Sequence, residues 1–315
     1  MPDPAVDRAG DVPDGAVTYP GAQRPDRAYR IDANGVGIAV TEWGSPDDPT
    51  LMLVHGGFDF AATYEVFAPK VAARGFRVVA WDQRGHGDSD HAHLYSWEAD
   101  LRDMICVLDH VADRPIPVIG HSKGGSLIVQ LADVQPYRFS HIVNIDGIPC
   151  KRRAPDISEH DRTKMLSDEI SGWLDHRRRT ALASRKPDTL DGLARRRQRI
   201  NPRLSLDWLR YLVTRGGRRD EDGWRWKLDP SMRFGGFGPW RPEWAQLRLP
   251  GIAAPFLGVL VSEQEEMGWG TTPDDLAGWV PPNGRVELVQ GAGHFVHIEQ
   301  PDHILEMVMD FLEAW

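Results

Sequence analysis

From residue 28 onward, apolar and polar positions fall into a repeating order. AYRIDA, the pair Asn34-Gly35 and VGIAVTEW read as two alternating strands around a tight turn, because Asn-Gly supplies the positive φ such a turn needs. Continuous apolar runs follow: TLMLV at 50–54, FRVVAW at 76–81, PVIG at 117–120, HIVNI at 141–145, FLGVLV at 256–261 and RVELV at 285–289. Runs this short, each stopped by polar residues or glycine, predict strands buried on both faces of a parallel sheet. Helical spacing lies between them at 64–73, 96–111, 124–131 and 304–312, with Leu101, Met104, Ile105 and Leu108 on one face of the second. Strand alternating with helix predicts an α/β fold, a mostly parallel sheet with helices on both faces.

The alternation stops between about 150 and 249. That stretch has Arg-rich helical patterns and six of the twelve tryptophans: Trp173, Trp208, Trp224, Trp226, Trp240 and Trp244. Residues 151–250 carry 24 Lys/Arg against 14 Asp/Glu, although the whole chain has a net charge of −9. The asymmetry predicts a basic module on an acidic body. Its place between the sixth and seventh apolar strands predicts a helical cap above the carboxyl ends of the strands, where open α/β sheets hold ligands. The expected organisation is a loose Pro/Asp/Gly-rich arm at 1–27, a core at 28–149 and 250–315, and a cap insertion at 150–249.

Composition narrows the function classes. With 41% apolar and 26% charged residues among 315, the chain has the balance of a soluble globular protein. The net negative charge argues against general nucleic-acid binding, and no run of 18 apolar residues predicts a membrane span. The first residues lack the basic start and apolar stretch of a secretory signal. Two cysteines, Cys106 and Cys150, make neither a disulfide framework nor a zinc cluster, and suit a reducing, cytoplasmic setting.

The strongest chemical signal is Gly120-His121-Ser122-Lys123-Gly124, a G-x-S-x-G pattern directly after a buried strand and directly before a helix. A sharp strand-to-helix turn lifts the serine hydroxyl clear of the sheet, and the helix points free N–H groups at the reaction centre. Ser122 is the expected nucleophile. Its expected base is His294 in Gly291-Ala292-Gly293-His294-Phe295, after the last apolar strand. Among the other histidines, His55 and His121 lie inside motifs whose backbone matters more than their side chains, His297 begins a helix, and His86 sits in a Gly turn. The acid that orients the imidazole should follow a strand, and Glu265, Asp146, Glu263 and Glu266 all do; Glu265 is favoured by position. The oxyanion donors expected are the backbone N–H groups of Lys123 and Gly57.

Taken in order, His55-Gly56-Gly57, Asp82-Gln83-Arg84-Gly85-His86-Gly87-Asp88-Ser89, the serine turn and Gly-Ala-Gly-His-Phe resemble the α/β-hydrolase superfamily, and most of all its esterase, lipase and C–C hydrolase type with a helical cap. The resemblance covers roughly 28–149 and 250–315. It implies a serine hydrolase that needs no cofactor or metal, acts on a small-molecule ester and makes an acyl-enzyme; whether copies of the chain self-associate stays open. It also implies an acid three residues after a Gly that ends the seventh strand. Here Ser262 replaces that Gly, and Glu265 stands where Asp is commoner. Lys123 replaces the usual Met, Gln or Leu, and is expected to reach Asp146, a substrate carboxylate or solvent. The Asp82–Asp90 stretch is expected to be a structural turn without metal-loop spacing. Three clusters, Lys151-Arg152-Arg153, Arg177-Arg178-Arg179 and Arg195-Arg196-Arg197, read either as solvated surface or as anion recognition. The same residues would also serve a C–C bond or thioester hydrolase, and a non-catalytic binding protein on this fold is the further alternative. An Asp-nucleophile dehalogenase or epoxide hydrolase is disfavoured because position 122 is Ser.

Overall fold

A computed structural model describes residues 17–148, 159–180, 183–232 and 246–314. Strands β1 (Arg27–Asp32) and β2 (Gly37–Trp43) pair antiparallel around Asn34 and Gly35, both at positive φ. Then come β3 (Thr50–Val54), helix α1 (Phe67–Ala72), β4 (Arg77–Trp81), α2 (Trp97–Val111), β5 (Ile116–His121), α3 (Lys123–Val134) and β6 (Phe139–Ile145). The next segment holds α4 (Glu159–Thr180), α5 (Leu190–Ile200), α6 (Leu206–Gly216) and a hairpin, β7 (Gly217–Asp220) with β8 (Gly223–Trp226). Strands β9 (Phe256–Val261) and β10 (Gly284–Val289) and the helix Pro301–Glu313 complete the order. The eight-stranded sheet runs β1-β2-β4-β3-β5-β6-β9-β10. Only β2 runs against the other seven strands, so its pairings with β1 and β4 are antiparallel and the rest are parallel.

Two-residue periodicity sorts the strands onto two core layers. Met52, Val54, Val79 and Trp81 pack with Met104, Leu108 and Leu127 from α2 and α3. Leu51, Leu53, Val78 and Ala80 pack on the other face with Phe67 and Val71 of α1 and with Val308 and Phe311 of the closing helix.

Four expectations change. The helix expected over 64–73 is a short 3-10 turn at Ala61–Tyr64 followed by α1. Pro69 is the reason: it has no N–H to bond back to residue 65, but sits without cost in the first turn of a helix that begins at 67. Helix α2, capped by Ser96 Oγ, buries Met104 and Leu108 as expected, but its inward face is rotated to bury Asp100 and Asp103 as well, leaving Leu101 and Ile105 half-buried against the same cluster. Those aspartates have buried partners: Asp103 takes Arg84 Nε and Nη2, both at 2.6 Å, and Asp100 lies 2.7 Å from Lys123 Nζ. The described part of the expected loose arm is docked. Tyr19 meets the Trp208 ring edge-on at 4.9 Å, the Gln23 N–H donates to Glu65 O at 2.8 Å, and Arg27 already belongs to β1. Finally, the segment between β6 and β9 is not wholly helical. Glu221-Asp222 turns β7 into β8, which opens on Gly223 at a φ of 134°.

Because β6 pairs with β9, that segment leaves and rejoins the sheet at neighbouring strands. Trp208, Leu209 and Leu212 of α6 bury against Phe60, Ala62 and Phe295, at the carboxyl edge. Among the tryptophans singled out above, Trp240 and Trp244 lie outside the described residues, as does Lys151-Arg152-Arg153. Among the described residues no helix is long and apolar enough to cross a membrane.

Neutral histidines hold the loops at this edge. His55 Nδ1–H donates to Gly56 O at 2.7 Å while its Nε2 accepts the Gln83 N–H at 2.9 Å. His86 Nδ1–H donates to Arg84 O at 2.9 Å and its Nε2 accepts the Phe58 N–H at 3.1 Å. His297 is fully buried between the Tyr64 and His121 rings, and neither ring nitrogen has a hydrogen-bond partner among the described residues. Burial pulls His297 down to about 3. A folded-state value below the unfolded one means stability is fully present above pH 6.5 and is lost as pH falls toward 3. The His297→Leu variant is therefore expected to match wild type at pH 8 and to exceed it by about 2 kcal/mol at pH 5. Urea unfolding of both proteins at the two pH values checks this. The pairwise comparison cancels Asp82, which burial raises to about 6 and which acts in the opposite sense.

Candidate active site

Ser122 stands between β5 and α3 with φ 53° and ψ −120°, a backbone that residues with a Cβ adopt only under constraint. Its N–H donates to Ile145 O at 3.0 Å, and its own carbonyl accepts the Ser126 N–H at 3.1 Å. The tight turn needs two glycines. A Cβ on Gly120 would come within 2.7 Å of the Gly124 and Gly125 backbone, and one on Gly56 would lie 3.1 Å from Ser122 Cβ.

His294 enters from the loop after β10 and is 1% exposed. Its Nδ1 donates to Asp146 Oδ2 at 2.5 Å, and both side chains are buried. That bond fixes the tautomer and leaves Nε2 as an acceptor, which has no hydrogen-bond partner among the described residues. The main chain of His294 is gripped at both ends. Its N–H donates to Glu265 Oε2 at 2.7 Å, and its carbonyl accepts His121 Nε2–H at 2.8 Å.

The choice of Glu265 as the partner of the imidazole is corrected by this geometry. Asp146 lies one residue past β6, the strand beside β5, and its φ of 43° turns the carboxylate over the crevice. Glu265 lies past β9, one strand further from Ser122, and its longer side chain passes to the backbone N–H. Burial raises the Glu265 pKa and the His294 N–H partly offsets this. Glu263 and Glu266 are exposed, and Glu263 accepts the Ser262 hydroxyl at 3.0 Å. The Asp146 turn is itself braced. Asn144 Oδ1 accepts the Gly147 N–H at 2.9 Å, and Asn144 Nδ2 donates to Gly125 O at 3.0 Å, tying the acid loop to the helix behind Ser122. Asn144 escaped sequence reasoning because it sits inside an apolar strand.

Lys123 also departs from expectation. It is buried and points into the core toward Asp100, its Nζ 5.9 Å from the Trp97 ring centroid. The Asp82 turn is a backbone organiser: its carboxylate accepts the Ala61 and Asp88 N–H groups at 2.6 and 2.7 Å. Gly57 occupies the turn after β3, next to Phe58. In the Arg clusters, Arg177 donates to Ser231 Oγ at 2.7 Å and Arg178 is exposed beside Asp175. Arg195 and Arg196 pair with Asp191 and Asp188, whereas Arg197 turns toward Phe58.

Beside this edge lies a cavity of about 210 Å³, lined mainly by Phe58, Phe60, Ile200, Trp226, Leu228 and Met267, with Asp59, Arg196 and Arg197 as polar members.

Over residues 45–228 the chain matches the family model described as serine aminopeptidase, S33. It is 26% identical over 278 residues to the esterase YbfF of Escherichia coli strain K12, covering 87% of this chain and 97% of that protein. It is also 26% identical over 269 residues to the sn-1-specific diacylglycerol lipase ABHD11 of Mus musculus, covering 84% and 81%. Among solved structures, the thioesterase domain from the curacin biosynthetic pathway matches with a TM-score of 0.77 at 23% identity, over 90% of this chain and 98% of that one. E-2-(acetamidomethylene)succinate hydrolase matches at 0.67 and 21% identity, over 91% and 98%. At these identities the solved structures share the fold.

The two carboxylates on His294 separate by mutation. Asp146→Asn is expected to lower kcat for a p-nitrophenyl ester by about 10⁴, since an amide there favours the wrong imidazole tautomer. Glu265→Gln keeps an acceptor for the His294 N–H and is expected to cost less than about tenfold. Steady-state kinetics of the two folded variants decides between them.

Proposed function

Because the chain belongs to the serine aminopeptidase S33 family of the α/β-hydrolase superfamily, and is a hydrolase, we propose that it cleaves carboxylic esters through an acyl-enzyme on Ser122. The observation that carries this reading is the buried His294–Asp146 hydrogen bond, in a loop held to the strained Ser122 turn by His121, whose Nε2–H donates to the His294 carbonyl. His294 Nε2 takes the Ser122 proton as Oγ attacks the carbonyl carbon. Asp146 stabilises the imidazolium that forms. The N–H groups of Gly57 and Lys123 receive the negative charge that builds on the carbonyl oxygen. The imidazolium gives its proton to the departing alcohol. Water, deprotonated by the same nitrogen, then releases the acid and restores Ser122.

The segment at 150–249 acts as the cap, and the cavity beside the site takes the apolar arm of the substrate, consistent with its aromatic and aliphatic lining. A thioester would pass through the same steps, and the fold shared with a thioesterase domain supports keeping it as a second reading.

The test is fluorophosphonate labelling with peptide mapping, followed by a panel of esters and thioesters. Labelling is expected at Ser122. Ser122→Ala should lose on the order of 10⁶ in kcat with its unfolding transition unchanged. Retained turnover in a folded Ser122→Ala protein, or a label on another serine, would overturn the mechanism.

A further inference from the structure

Arg197 belongs to α5, in the segment between β6 and β9, yet it is spent on the catalytic edge. Its Nη1 donates to the carbonyl of Phe58 at 2.9 Å, and its guanidinium lies 5.8 Å from the centroid of the Phe295 ring. Phe58 follows Gly57, and Phe295 follows His294. Phe58 adopts a φ of 61°, in the left-handed region that a residue with a Cβ avoids. Such a conformation persists only where the surroundings hold it. Here His86 Nε2 accepts the Phe58 N–H on one side, and Arg197 donates to the Phe58 carbonyl on the other.

The electrostatics of Arg197 single it out from its neighbours. Arg195 and Arg196 pair with aspartates on their own segment. Arg197 has no carboxylate within ion-pair distance among the described residues, and its Nε and Nη2 are buried without hydrogen-bond partners there. Nearby, the two carboxylate oxygens of Asp59 are also buried without hydrogen bonds of ordinary geometry; Thr63 and the Phe60 N–H are close enough to favour its charged form slightly. Burial raises Asp59, and the charge of Arg197 is what chiefly opposes that rise. A guanidinium desolvated this far with a single hydrogen bond is a poor device for stability. Its one bond goes to the turn that carries the expected oxyanion donor.

We propose that Arg197 is a positioning residue for the oxyanion hole: from the inserted segment it fixes the Gly57–Phe58 turn, so that the Gly57 N–H is already aimed when charge develops on the substrate carbonyl. The proposal rests on the reading of Ser122 as nucleophile. It means that the cap-side helix α5 contributes to the chemical step as well as covering the substrate. Preorganised donors lower the barrier because they need no reorientation during the reaction. Removing one outright costs about 10²–10³ in kcat, so misaiming one should cost about tenfold to a hundredfold.

The experiment measures kcat and KM for a p-nitrophenyl ester with Arg197→Ala, Arg197→Lys and Arg195→Gln, together with the rate of fluorophosphonate labelling. The phosphonyl oxygen must occupy the same hole as the ester carbonyl. Arg197→Ala is expected to lose about tenfold to a hundredfold in kcat with KM within about twofold, and to lose labelling rate in parallel. Added guanidinium ion should restore part of both in Arg197→Ala and neither in wild type. Arg197→Lys, which keeps a donor and a charge, should fall between the two and covers the case in which the alanine variant fails to fold. Arg195→Gln, on the exposed face of the same helix, should leave kcat and labelling as they are. A rise in KM with kcat intact would overturn the proposal and make Arg197 a substrate-binding side chain. A loss shared equally by the lysine variant and untouched by guanidinium would also overturn it, reducing Arg197 to packing. Turnover surviving in Ser122→Ala would remove the nucleophile reading and this proposal with it. Ser122-dependent turnover indifferent to position 197 would remove this proposal alone.

Discussion

The hydrogen bond from His294 Nδ1 to Asp146 joins residues 148 positions apart, and much of the edge geometry depends on it. It holds the last long loop of the chain against the middle of the sheet. Its two ends are separately anchored, so neither can drift without breaking something else. Asp146 is fixed through the Val259 carbonyl, which accepts its N–H at 2.8 Å, and through the Asn144 brace to α3. His294 is fixed through Glu265 and His121. The result is an imidazole whose position is set by four strands at once: β5, β6, β9 and β10 each lead into a residue that touches it or its partner.

Imidazoles recur at this edge in a second capacity. His55, His86 and His121 serve as neutral spacers, donating from one nitrogen to a carbonyl and, in the first two, accepting a backbone N–H at the other. Loops this close to the core cannot satisfy their backbone groups with bulk water, so side chains with one donor and one acceptor do it for them. Burial lowers all three histidines, His55 to about 3, which keeps them uncharged in neutral solution. Beneath them, Lys123 with Asp100 and Arg84 with Asp103 add two buried ion pairs that tie α2 to the start of α3 and to the loop after β4.

How much of this was legible in the sequence depended on whether the signal was local. The apolar runs became strands with nearly the boundaries expected, because a buried parallel strand announces itself by composition alone; the exception to the expected burial is β10, which lies at the sheet edge and leaves Arg285 and Leu288 exposed. The strand-to-helix turn at Ser122 and the place of His294 after the last strand were legible because glycine spacing and strand context sit within a few residues of each. The partner of His294 was not. Asp146 and Glu265 both follow strands, and the geometry that distinguishes them is the lateral order of β5, β6 and β9, which no local pattern encodes. The inward face of α2 was legible in Met104 and Leu108 but not in its aspartates, for a related reason: Asp100 and Asp103 look like solvent-facing residues until Lys123 and Arg84, from other elements, are brought beside them. The β7–β8 hairpin had a local signal, Asp222-Gly223, obscured by the arginines around it.

The segment between β6 and β9 leaves at the carboxyl end of β6 and returns to the amino end of its parallel neighbour, so it is a crossover connection. Loop-closure entropy grows only slowly with length, so a long crossover costs little more than a short one. The sheet is therefore indifferent to what fills the gap, and a different insert could be accommodated without disturbing a single strand register. The loops above the sheet are not indifferent. Arg203 of the insert donates to Gly291 O at 2.6 Å and pairs with Glu299 at 2.7 Å, and Arg197 donates to Phe58 O. A transplanted insert would have to bring its own donors to those two carbonyls. The architecture is modular in its folding but not in its chemistry, so chimeras of this chain can keep the sheet and still lose the alignment of the loops above it.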